Sequence, residues 1–76
     1  MSDALTESMT ASLTERFPGA RVEVQIDGNR ALVAVEATEF EALSRVKRQQ
    51  AVYAVIGHHV TDGTLHAVTI QARVPA

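Results

Sequence analysis

Cysteine and tryptophan are absent from this chain of 76 residues, and its aromatic side chains are limited to two Phe and one Tyr. Without cysteine there is no disulfide scaffold, no thiolate nucleophile, and no cysteine-ligated zinc or iron-sulfur site built by this chain alone. A reducing compartment is therefore permitted. So few rings offer little exposed surface for stacking the bases of a single strand. Excess positive charge is lacking too: 7 Lys+Arg against 9 Asp+Glu leave a net charge of -2. The chain as a whole is thus not an electrostatic nucleic-acid binder, and any basic surface must be local. No apolar run approaches the ~18 residues of a membrane span, and the start Met1-Ser2-Asp3 lacks the basic and apolar segments of a signal peptide. The expectation is a soluble, cytoplasmic protein with no membrane partner. No Gly-rich phosphate loop and no nucleophile-base-orienter spacing can be named, and a chain this short walls off little of a pocket, so the reading is non-enzymatic.

What is present suffices for one domain over residues 1–76: 46% of the chain is hydrophobic, and a domain of this size buries about 60% of its surface on folding. From Ser2 to Phe17, Leu5, Met9, Leu13 and Phe17 recur at four-residue steps among Thr, Ser and Glu, which predicts an amphipathic helix. Pro18-Gly19 ends it. The period then falls to two, with Val22, Val24 and Ile26 alternating with Glu23 and Gln25. That is a strand with one buried face. A second run, Arg30 to Glu36, follows Asp27-Gly28-Asn29, so the two strands are expected to form an antiparallel hairpin.

Thr38 and Glu41 have the spacing of a capping box and predict a helix start near Glu39. Phe40, Leu43 and Val46 step by three, Lys47-Arg48-Gln49-Gln50 interrupts them, and Val52, Val55, Ile56 and Val60 resume at a shifted angle. A short helical turn over about 39 to 43, leading into a helix from about Ser44 to His59, accounts for the shift. Asp62-Gly63 reads as a turn. From Leu65 to Ala72 alternation returns, placing His66, Val68, Ile70 and Ala72 on a helix-facing side and Ala67, Thr69, Gln71 and Arg73 on the other. The order helix, strand, strand, turn and helix, strand predicts an α+β domain with a three-stranded sheet and the helices on one face. Glu23, Gln25, Thr69 and Gln71 make the opposite face polar, which argues for a monomer when the chain is alone.

Two features carry candidate chemistry. Arg45, Lys47 and Arg48, with Gln49 and Gln50, form the only local basic run, the other arginines being scattered along the sequence. Such a run can hold phosphates, and Gln side chains can read adenine edges, which makes DNA a candidate partner; the same run equally describes a solvated helix face. His66 is the second. Read by alternation alone it is a partly buried imidazole bonded to nearby backbone. His58 and His59 fall near the end of the helix and point about 100° apart, so they form no chelate by themselves. His59 and His66 come within reach of each other only across the turn.

The stretch Phe40-Glu41-Ala42-Leu43-Ser44-Arg45-Val46-Lys47-Arg48-Gln49-Gln50-Ala51-Val52-Tyr53, with Leu65-His66-Ala67-Val68-Thr69-Ile70-Gln71-Ala72, resembles the BolA-like family and its IbaG-like subgroup. That family typically shows Phe-x-Gly-x-Ser-Arg-Val-x-Arg with a Val-Tyr pair, then a strand opening on His-Ala. Here Ala42 stands at the usual Gly and Val74 at the usual Thr before Pro75. The resemblance implies αββαβ topology similar to the class II KH module without its Gly-x-x-Gly loop. It implies a non-enzymatic adaptor or regulator of iron homeostasis, stress response, cell morphology or transcription, partnering a monothiol glutaredoxin with or without a shared two-iron, two-sulfur cluster. By the same resemblance His66 supplies a cluster ligand, and Ser44 and Arg45 join it in partner binding. The family's second ligand, a His or Cys, comes from the loop between the first two strands, whereas Asp27-Gly28-Asn29-Arg30-Ala31 contains neither. The alternative, from another class, is a nucleic-acid-binding transcription regulator using Arg45, Lys47, Arg48 and Gln49.

Overall fold

A computed structural model describes residues 3–61 and 65–75. The element order is α1 (Asp3–Arg16), β1 (Arg21–Asp27), β2 (Arg30–Glu36), a 3-10 turn (Thr38–Ala42), α2 (Arg45–Thr61) and β3 (Ala67–Arg73). The α+β class and the three-stranded sheet agree with the sequence. The turn expected at Asp62-Gly63 falls outside the described residues.

α1 forms because its four-residue stripe can be buried: Met9, Leu13 and Phe17 are fully enclosed and Leu5 packs at their margin. The Phe17 N–H still bonds Leu13 O at 2.9 Å, after which Gly19 at φ 81° reverses the chain. Gly28 at φ 61° opens a two-residue hairpin turn with Asn29, a geometry that accepts glycine at the first central position.

The sheet order is β1-β2-β3, with β1 antiparallel and β3 parallel to the central β2. Register stacks three apolar rows toward the helices: Ile26, Ala31 and Val68; Val24, Val33 and Ile70; Val22, Val35 and Ala72. Their central members Ala31, Val33 and Val35 are buried, and the outer ones half-buried. Glu23, Gln25, Thr69 and Gln71 on the other face are exposed, as their alternation predicts. α1 lies on β1, α2 on β3, and the helices touch each other. Phe17 and Phe40 meet edge to face with centroids 5.3 Å apart, joining α1 to the 3-10 turn. Arg16 reinforces this joint, its guanidinium 4.7 Å from the Phe17 ring centre and 3.5 Å from the Glu39 carboxylate.

Three local expectations need correction. The capping box does not form: the residue before the turn is Ala37, with no side-chain cap bond. Its N–H still belongs to the sheet, bonded to Arg73 O at 3.0 Å, so the chain enters the turn directly from the strand and Thr38 is already inside it. Val46 is 64% exposed, not on a stripe with Phe40 and Leu43. Leu43 is extended (φ -112°, ψ 144°), so α2 starts with its own phase and buries Val52 and Ile56 instead. Finally, the alternation of β3 fails at its start. Leu65 is buried and His66 exposed, the reverse of the predicted faces, because both precede the strand. The pleat begins only at Ala67.

Candidate functional site

The two candidate features lie at opposite ends of β3. At its start, the His66 N–H bonds Asn29 O at 2.8 Å and the Ala67 N–H bonds the same oxygen at 3.3 Å. Buried Leu65 on one side and this shared carbonyl on the other fix the backbone, while the imidazole-bearing residue stays exposed beside the β1–β2 turn. Register places Arg30 opposite Ala67, so the first residue of β2 neighbours the histidine. A guanidinium stays protonated and has no lone pair to offer a metal. The loop therefore supplies no second imidazole or thiolate beside His66. Among the described residues, no group of three or more His, Asp or Glu side chains is placed to hold a metal ion.

At the far end, β3 meets the N-terminus of α2. Ser44 caps that helix: its Oγ accepts the Lys47 N–H at 3.3 Å, and its carbonyl accepts the Arg48 N–H at 2.9 Å. The hydroxyl assigned to partner binding by resemblance thus has a structural task in the chain itself. Arg48 is half-buried, and its Nε donates to Phe40 O at 2.7 Å and Leu43 O at 2.9 Å. These carbonyls close the 3-10 turn, so the guanidinium acts as a clamp between the turn and the helix. No acidic residue occupies the first turn of α2 to offset these cations or the positive end of the helix dipole.

Arg45, Arg48 and Gln49 line an open groove of about 600 Å³ with Ile70, Gln71, Ala72, Arg73 and Val74. Lys47 is not among its walls. Arg73, scattered from the basic run in sequence, belongs with Arg45 and Arg48 in space. Nothing local in the sequence announces this. It follows from the strand order, which brings the end of β3 beside the start of α2 and gathers three of the chain's seven cationic residues in one groove. A shallower groove of about 390 Å³ continues along the seam, lined by Gln49, Gln50, Tyr53, Ala54 and Ile70. The Tyr53 ring lies across Gly57, where a Cβ would come within 3.1 Å of it. Tyr53 is 43% exposed, a packing residue that also presents surface.

From His66 to Arg73 the chain runs seven residues, roughly 23 Å at strand rise. The residues singled out by sequence thus form two sites, His66 with the hairpin turn and Arg45 with Arg48, Gln49 and Arg73, not one.

Residues 28–76 match the sequence model of the family described as BolA-like protein. A protein from the rpoN-murA intergenic region of Acinetobacter guillouiae is 37% identical over 67 residues, covering 88% of this chain and 81% of that one. Acid stress protein IbaG of Escherichia coli K12 is 40% identical over 55 residues, covering 72% of this chain and 66% of IbaG. Among solved structures, BolA1 from Arabidopsis thaliana superposes with a TM-score of 0.81 at 22% identity, over 92% of this chain and 90% of that one. The BolA domain of SufE1 from the same plant gives 0.84 at 20% identity, over 95% and 93%.

Proposed function

Because the chain belongs to the BolA-like family, we propose that it is a non-enzymatic cytoplasmic adaptor, monomeric when alone, that docks on a monothiol glutaredoxin in iron homeostasis and stress response. The observation that carries this reading is the placement of His66, the histidine the family resemblance singles out: exposed, beside the hairpin turn, and held by a backbone bond to Asn29. A side chain presented from a fixed backbone loses little freedom when a partner engages it. The name of the IbaG relative, an acid stress protein, supports the stress assignment.

Docking without a cluster is the form the residues favour, since the β1–β2 loop beside His66 carries neither His nor Cys. If a two-iron, two-sulfur cluster is shared, His66 is the group that reaches it, and imidazole is a suitable iron ligand. The test is a titration of cluster-free and cluster-loaded monothiol glutaredoxin, followed by mass and visible circular dichroism. We expect a one-to-one complex with the cluster-free form, lost in His66→Ala. Absence of any complex at high micromolar concentration contradicts the proposal.

A further inference from the structure

We infer that the free edge of β3 and the adjoining face of α2 form a docking groove for an extended segment of a partner protein. The segment pairs with β3 as a fourth strand, turns an apolar side chain toward Tyr53, Ala54 and Ile70, and an acidic one toward Arg45, Arg48 and Arg73. This surface is separate from the His66 site and does not rest on the glutaredoxin reading.

β3 is an edge strand of the sheet. Arg73 O and Ala67 N are bonded toward the β2 side. Strand alternation then turns the N–H and C=O groups of Val68, Ile70 and Ala72 outward, a row of donors and acceptors without a neighbouring strand. The two edges of the sheet are guarded differently. β1 carries three charges in seven residues, Arg21, Glu23 and Asp27, whereas β3 carries only Arg73, at its last position. Its register with β2 runs without a bulge, and Pro75 lies beyond its end. The usual means of blocking strand addition are thus missing from β3.

A trough flanks this edge. The two grooves along the α2–β3 seam share Gln49 and Ile70, so they form one trough beside the unpaired backbone. One end is apolar and aromatic, and the other gathers three arginines. Arginine forks fit carboxylates with paired hydrogen bonds, and Arg48 is already anchored through Nε. A second copy pairing β3 against β3 is poorly matched, because the sequence Ala67 to Arg73 contains no acidic residue to meet the arginines; the β1 edge of a second copy does carry Glu23 and Asp27, so a dimer of the chain alone is the competing outcome. A nucleic-acid strand suits the arginines but cannot pair with the backbone row, and it meets only one aromatic ring.

The test selects random peptides of about twelve residues on the immobilised full chain and then maps the winners by amide hydrogen exchange and NMR. The inference expects winners that alternate β-branched residues with at least one Asp or Glu, bind one-to-one, and slow exchange at Val68, Ile70 and Ala72. Combining Arg45→Glu with Arg73→Glu should weaken binding at least about tenfold with the fold intact by circular dichroism. His66→Ala should leave it unchanged, which separates this groove from the glutaredoxin site. Failure to select any peptide, winners lacking acidic residues, or protection on β1 overturns the inference. So does protection of the β3 amides in a dimer of the chain alone, or tighter occupation of the groove by a thymidine oligonucleotide.

Discussion

α1 and α2 pack on the same sheet face, yet they divide the work differently. In fourteen residues, α1 encloses Met9 and Leu13 completely, and Phe17 follows directly behind it. Among the described side chains of the longer α2, with seventeen residues, only Val52 and Ile56 are buried, and Val46 and Tyr53 lie at the surface. Its basic first turn faces a groove, and its Tyr53 flank faces another. Burial concentrated on α1, β2 and Phe40 holds the domain together, so the α2–β3 side is free to present side chains. Apart from Arg48, which both clamps the turn and lines the groove, stability and the proposed recognition are therefore separable here by substitution.

The largest effect should come from Leu13→Ala, which opens a cavity under α1 and should destabilise by about 2–5 kcal/mol in urea unfolding. A loss below about 1 kcal/mol would show that α1 is not the main anchor. Arg48→Ala ranks next. It removes the Nε donor shared by Phe40 O and Leu43 O, of which Phe40 O keeps the Leu43 N–H, and should cost about 1–3 kcal/mol. An effect as large as that of Leu13→Ala would erase the contrast between the helices. Gly57→Ala should raise stability by up to about 1 kcal/mol through helix propensity, as the exposed Tyr53 ring shifts outward by a few tenths of an ångström. The sharpened signal there is tyrosine fluorescence, which should change with the ring's position. Val46→Ser should stay within about 0.5 kcal/mol, since the side chain is mostly in water.

The same division explains what could be read from sequence. The stripe of α1 and the alternation of β1 and β2 are short-range patterns with one buried face, and the strand bounds Arg30–Glu36 follow from them directly. The start of α2, expected near Ser44, lies at Arg45; the start of the 3-10 turn was less legible, because Thr38 and Glu41 carry capping-box spacing while the β2–β3 ladder, a long-range contact, claims Ala37 and takes the turn one residue earlier. His66 shows the limit of alternation. Parity places it inward, but the pleat that parity assumes starts one residue later. Ser44, Arg45 and Arg48 were visible as a basic helix start and the shifted stripe announces the break near Leu43, yet no pattern encodes which carbonyls Arg48 then bonds. Arg73 was invisible as a partner of Arg45, since only the parallel placement of β3 beside β2 brings it there.

The proposed docking begins with His66, exposed at the start of β3 and no part of the core. The most direct measurement is calorimetric affinity of a cluster-free monothiol glutaredoxin for the intact chain and for His66→Ala, with thermal unfolding of both. The account predicts affinity lower by at least about tenfold and an unchanged Tm. Unchanged affinity, or a fall in Tm comparable to that of Leu13→Ala, would contradict it.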